Sequence, residues 1–466
     1  MLAVLKSLVR GIYKWISDKI IVIVVSMTVL IGILVSCIYL NTKYYNYLRI
    51  TSDGIFTMSP SGSLPAFHYE GIYNRTYIGY YTSDAKVKVV YYDEEKQEIS
   101  EPVTLWSDWG NGDDHAGPSV LVLQHQNGDN SKHNGKILIS SSAIFIDQPA
   151  QIRRSKNAEN ISEWEESLTF DTDVEYPTLI ELKDGKVFLF YAKREYPNHG
   201  DRSQVYRVSI DAGETWSEKK LLFDADGSRR IYAIYYTNPS QDEIHAMFNL
   251  CPRHEEFGSW YKDIYYAYLG SDTYTWRKSD NIEYSLPITP RTGDLVYETD
   301  MTEGEEDHTW LSDIKVDRNN NPFLISINFK DYGSLGHNPG NNPGWEGVVQ
   351  RHNFENGEWN TEIISENGAS QFGSYSYPAM AVLDEGNLDI VYLTPYDGES
   401  SVLQKWKKEN GTWIKIENIM KKRNGYVFRP TFVRNANKLK VLWCYTERYE
   451  HHRGGRWESM IFGYPK

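Results

Sequence analysis

Hydrophobic patterning divides the chain into two unlike parts. Residues 20–40, IIVIVVSMTVLIGILVSCIYL, carry no charge over 21 positions, long enough as a helix to cross about 30 Å of hydrocarbon. Beyond a polar segment at 41–70, helical periodicity is scarce and another unit recurs. A strand, a polar turn and a more apolar strand are followed by a third strand and turn, often with Trp beside it. The first halves are TYIGYYTSDAKVKVVYYD (76–93), PSVLVLQHQNGDNSKHNGKILISSSAI (118–144), YPTLIELKDGKVFLFYAK (176–193), YAIYYTNPSQDEIHAMFNL (232–250), LSDIKVDRNNNPFLISINF (311–329), YPAMAVLDEGNLDIVYLTPYD (377–397) and RPTFVRNANKLKVLWCYTE (429–447). Their centres, such as KDG, DRNNN, DEG and NAN, supply the Asp, Asn and Gly that tight hairpin turns demand. An amphipathic hairpin cannot bury its apolar face alone, whereas several stacked around an axis can. The pattern predicts an all-β fold: a seven-bladed β-propeller over 76–466, preceded by one N-terminal transmembrane helix. An excursion is expected at 278–308. A pair of β-sandwiches is the structural competitor, and it would not repeat one motif seven times.

Charge orients the predicted anchor. Lys6, Arg10, Lys14 and Lys19 precede the apolar run against a single Asp18, and the basic side of a span normally stays cytoplasmic. The expected organisation is a short basic cytoplasmic segment at 1–19, a transmembrane signal-anchor at 20–40, a linker and entry segment at 41–75, and an extracytoplasmic C-terminal domain. A secreted form, or one lipid-anchored at Cys37 in the stretch LVSC, is the alternative. The net charge of −14 excludes a nucleic-acid partner, which would need a basic footprint. The 35 Tyr and 14 Trp suit strands and also the flat faces of sugars. With only three cysteines, disulfides do not hold the fold together.

Residues 209–216, SIDAGETW, match the S-x-D-x-G-x-T-W Asp box of bacterial neuraminidase repeats. Ser209, Asp211, Gly213, Thr215 and Trp216 are assigned to a structural turn away from the substrate. The order of the pieces DDHAGPS (113–119), YPTLIEL with LFY (176–191), RIYAIYY and IHAMFNLCPR (230–253), SYPAMAVLD (376–384) and FRPTF with VLW (428–443) resembles the BNR-4 family of repeat proteins, which includes ulvan lyases. The resemblance extends over most of the chain.

That resemblance implies where chemistry sits. The histidine of the family's DDH motif belongs to the active face, which places His115 there, with Asp114 beside it. A neutral imidazole can take or return a proton near pH 7, and Tyr176 can do the same if a cation lowers its pKa. Arg230 and Tyr232 match the family's Arg-x-Tyr, Arg253 follows Cys251-Pro252 where the family has His-Pro-Arg, and Arg429 opens the last repeat. Guanidinium groups suit a substrate carboxylate and the enolate-like charge that develops beside it. One departure weighs against intact lyase chemistry: Ile139-Ser140-Ser141-Ser142-Ala143 lacks the histidine the family carries there. His245, Cys251 and His254 form a separate candidate set, with His199 as a further donor, for a structural zinc; the proton-transfer chemistry itself requires no cofactor.

The expected function is a carbohydrate-active protein that cleaves acidic, uronate-containing polysaccharide by β-elimination, with the polysaccharide and the membrane as partners. A non-catalytic glycan-binding or surface polysaccharide assembly protein is the alternative. A sialidase is disfavoured because Arg75, in YNRTYIG, lacks the Ile-Pro that follows the first arginine of that triad, and because Glu175 and Tyr176 are adjacent and would face opposite ways in a regular strand. General glycoside hydrolysis by a pair of carboxylates, drawn from Asp113, Asp114, Glu175 and Asp313, stays open.

Overall fold

The computed structural model describes residues 6–8, 10, 11, 13, 15, 27, 47–56, 64–109, 115, 117–142, 148–194, 202–227, 230–251, 261–302, 307–330, 345–371, 381–395, 400–423, 425–447 and 459–465. The chain falls into two units, Met1–Leu48 and Arg49–Lys466. The first has described residues only at 6–8, 10, 11, 13, 15, 27, 47 and 48.

The second unit is built of β-strands, and the expected hairpins form where the alternation predicts them. Arg75–Tyr81 pairs antiparallel with Val87–Asp93, Val174–Glu181 with Val187–Arg194, and Tyr426–Phe432 with Leu439–Thr446. Central strands are covered on both faces and so lose their polar alternation. Seven of the eight residues of Val187–Arg194 are buried. The outer strand Thr412–Lys422 keeps its alternation in part. Aromatic side chains fill the space between neighbouring strands. Phe190 stacks on Tyr235 and Phe223 on Phe248, each with ring centroids 4.1 Å apart. Such pairs contribute about 0.5–1.5 kcal/mol each beyond the area they bury.

The architecture expected from the repeats needs correction. Among the described residues the strands assemble into six sheets, and none closes on itself into the predicted seven-bladed propeller. The third and fourth repeats share one nine-stranded sheet, because Arg202 and Arg230 are parallel partners and join Arg202–Ser209 to Arg230–Thr237. The sheet containing the last three strands also takes in Leu48–Thr51. Hairpin patterning is local, whereas the partner of a hairpin's outer strand is a non-local choice that alternation does not encode.

The membrane expectation is corrected as well. A span needs about 20 consecutive apolar residues in one helix, and among the described residues no helix is long and apolar enough to cross a membrane. That finding stands against the transmembrane helix, the signal-anchor, the membrane as a partner and the single-pass localisation. Of the segment 20–40 only Met27 is described; Cys37 lies outside the described residues.

Candidate functional site

The candidate site begins with a proline inside a strand. Pro177 has no N–H to give to the ladder, so the strand Val174–Glu181 must break its pairing there. It does so as a bulge between Glu175 and Thr178, with Tyr176 at φ +55°. The same tripeptide pattern recurs at Arg429-Pro430-Thr431, where the register shifts between Phe428 and Thr431 and Arg429 takes φ +52°. A non-glycine residue held there costs about 1–3 kcal/mol, and such strain and such bulges gather at functional sites.

The bulge overturns the expectation that Glu175 and Tyr176 face opposite ways. Both reach one cluster. The Glu175 carboxylate accepts from Arg194 and lies 2.8 Å from the Arg202 guanidinium. Arg202 donates to the Tyr232 hydroxyl at 2.6 Å. Tyr176 packs its ring between His115, at a centroid distance of 5.3 Å, and Tyr232, at 6.1 Å. Register explains why the arginines meet. Arg194 is opposite Arg202, Arg202 is opposite Arg230, and Arg230 is opposite Cys251. Three guanidinium-bearing positions therefore stand in one row across the ends of adjacent strands.

Electrostatics follow from that row. Burial by itself would raise the Glu175 pKa, but Arg202, Arg194, His115 and Arg230 together bring it down to about 2. Burial likewise pushes the Tyr232 phenol up, yet Arg202 and Arg230 outweigh it and leave the group below its ordinary value. For Arg230, burial and then Arg202 act to lower the pKa; Tyr232, Cys251 and Tyr261 prevail and raise it. Two acids that ionise more readily although buried define a positive local field. A site of this kind can hold a carboxylate and stabilise negative charge that develops next to it.

Aromatic rings continue the site away from Tyr176. Tyr261 meets Tyr232 edge-on at 5.3 Å and Trp310 at 4.0 Å, and His308 lies 4.9 Å from Tyr261. Burial lowers the His308 pKa to about 3, so this imidazole is neutral at physiological pH.

The other sequence-predicted residues are placed differently. Asp114, Arg253 and His254, with Asp113 and His199, lie outside the described residues. Arg429 donates to the Phe56 carbonyl at 2.7 Å, tying its strand to the segment that precedes the first repeat. Arg75 pairs with Asp93 at 3.4 Å and lies over the rings of Tyr73 and Tyr91. Asp313 accepts from Lys315 at 2.7 Å and from the Leu383 amide at 2.8 Å. His245 contacts the Tyr266 hydroxyl at 2.6 Å through Nδ1 and Glu243 at 3.2 Å through Nε2. Cys251 stands at the far end of the same strand, Glu243–Cys251, six residues on and hence about 20 Å away. One ion cannot bridge that distance, which separates two members of the proposed zinc set. No group of three or more potential metal ligands occurs among the described residues.

The Asp box closes on itself. Ser209 Oγ donates to Asp211 at 2.8 Å and accepts from the Gly213 amide at 2.8 Å, while Asp211 accepts from the Thr215 amide at 2.9 Å. Trp216 is half-buried. The turn also docks on the preceding sheet, where Arg154 donates to the Ala212 carbonyl at 2.9 Å. Gly213 has φ +83°, and a Cβ there would stand 2.7 Å from Leu138 Cδ2. Gly213→Ala is therefore expected to lower the unfolding free energy by about 1–3 kcal/mol, seen as a fall in melting temperature.

Sequence reasoning missed Arg194, Arg202, Tyr261 and Trp310, and named Glu175 only as one of several candidate carboxylates. One signal was present: Arg194 and Arg202 end and begin consecutive apolar strand patterns, and antiparallel pairing of those strands sets them opposite each other.

Comparison with known proteins follows the fold. The family model described as BNR repeat-containing family member matches residues 75–367. Among solved structures, a PL25 ulvan lyase bound to -[GlcA(1-4)Rha3S]- superposes with a TM-score of 0.68 at 14% identity, over 89% of this chain and 95% of that one. The polysaccharide lyase Uly1 gives a TM-score of 0.59 at 12% identity, over 90% and 98% of the two chains. At these identities the likeness is one of fold. No curated protein matches the sequence.

Proposed function

Since the chain belongs to the BNR repeat-containing family, we propose that it acts on carbohydrate, cleaving an acidic, uronate-containing polysaccharide by β-elimination. The observation that carries this reading is the positive field beside the His115–Tyr176 pair, which lowers the pKa of both Glu175 and Tyr232 against the effect of burial. The polysaccharide lyases that share the fold add to it.

In this reaction the uronate carboxylate sits against Arg230 and Arg202, with Arg253 and Asp114 as further substrate contacts. Withdrawal of its charge acidifies the C5 proton. His115 and Tyr176 exchange the two protons of the step: one removes the C5 hydrogen and the other protonates the departing oxygen. The C5–H electron pair becomes the C4–C5 double bond as the C4–O bond breaks, so neither water nor an oxidant is consumed. Tyr232, held by Arg202, orients the acid group.

A second reading, a non-catalytic glycan-binding protein, is favoured by one feature. Where the resembling lyases carry a second histidine, this chain has Ser140, Ser141 and Ser142, all buried. The Trp109 indole donates there to Ser141 Oγ at 2.9 Å and to the Ser142 carbonyl at 3.0 Å. Incubating the full chain with a panel of uronate polymers separates the two readings. Lyase action is expected to raise ultraviolet absorbance from the new conjugated double bond, together with new reducing ends. Binding without either product across the panel would remove the enzyme reading and leave the second.

A further inference from the structure

A cavity of about 440 Å³ lies at the far ends of the same strands, within the size range of small-ligand sites, about 300–1,000 Å³. Arg230–Thr237 starts at the arginine row and ends on this cavity seven residues later, a separation of about 23 Å. The walls come from four hairpin turns, around Asn238, Asp317, Gly386 and Asn435.

Those turns are tied together in pairs. The Asn238 side-chain amide donates to Ser240, Asp242 and, across to the next turn, Asn320 at 3.0 Å. Asp317 holds its own turn by accepting from the amides of Asn319 and Asn321 at 2.7 and 2.8 Å. The Asn435 amide donates to Glu385 at 3.1 Å, linking the other two turns. A cavity whose walls are already hydrogen-bonded loses little freedom when it binds.

The functional groups that line it are mixed. The exposed Arg318 guanidinium and the Asn435 side-chain amide line the cavity and have no hydrogen-bond or ion-pair partner among the described residues. Lys440 Nζ is 3.7 Å from Asp384, a loose pair. Donors thus stand beside the carboxylates of Glu385 and Asp317, and Phe432 and Leu388 add apolar surface. A simple anion would call for donors alone, and an apolar ligand for none of these charges. A sugar ring fits the combination, because each hydroxyl both donates and accepts while the ring's C–H face needs an apolar partner.

We propose that this cavity is a second carbohydrate site, for a neutral monosaccharide or disaccharide unit, separate from the arginine cluster and independent of whether that cluster is catalytic. Calorimetric titration of the full chain with glucose, galactose, mannose, rhamnose, lactose and cellobiose tests it, with sodium sulfate as the anion control. The expected result is saturable binding of at least one sugar, weakened at least tenfold by Arg318→Ala and by Asn435→Ala. Binding should persist in Arg230→Gln, with thermal unfolding of each variant confirming its fold. Three results would overturn the proposal: no sugar of the panel binds, sulfate alone binds, or sugar binding survives both cavity substitutions.

Discussion

Glu175→Ala is expected to lower the unfolding free energy by about 3–5 kcal/mol, the usual cost of removing one partner from a buried ion pair. Glu175 is fully buried and receives Arg194 and Arg202 together, so its loss leaves two guanidinium groups facing each other without the carboxylate between them. Denaturant unfolding of the variant beside the parent measures the difference. The pH dependence carries a definite sign. The folded-state pKa is depressed from 4.5 to about 2, so the stabilisation is fully present above the unfolded value and is lost as pH falls through the folded one. The parent should therefore lose stability between about pH 4.5 and pH 2 by a component absent from Glu175→Ala. An unchanged acid limb in the variant would show that Glu175 does not hold the cluster.

Tyr176→Phe is expected to reduce turnover of a uronate polymer by about 10²–10⁴-fold, the range of a general acid or base, with KM little changed. His115→Ala is expected to abolish the double-bond signal. The Phe variant keeps the ring that packs on His115 and Tyr232, so a loss confined to kcat reports the hydroxyl. A rise in KM with kcat preserved would instead make Tyr176 a binding residue. Parent-like activity in His115→Ala would take the imidazole out of the chemistry.

The two predictions draw on residues that were unequally legible. Tyr176 and His115 stand in motifs that repeat or resemble a family, and each could be singled out from its neighbours in sequence. Glu175 could not. In a regular strand it would turn away from Tyr176, and only the bulge at Pro177 brings both side chains to one place. Arg194 and Arg202 likewise look like ordinary strand-end cations until antiparallel pairing sets them opposite each other and Arg230 joins the row. The His245–Cys251 pair of the zinc set shows the reverse effect. His245 and Cys251 are close in sequence, but an extended strand is the conformation that takes near neighbours farthest apart.

What this sequence determined by itself is local in origin. Period-two alternation with Asp, Asn and Gly at the turns is enough to specify hairpins, and Ser209, Asp211 and Thr215 are enough to specify a turn that satisfies its own hydrogen bonds. Family membership also follows from the repeated pieces. The tertiary structure alone decided that six sheets form among the described residues and that the third and fourth repeats merge. It alone also assembled Glu175, Arg194, Arg202, Arg230 and Tyr232 into one charged cluster beside His115 and Tyr176. The physical reason is range: a strand's alternation reports which face is buried, whereas the field at a buried carboxylate depends on which distant strands lie against it.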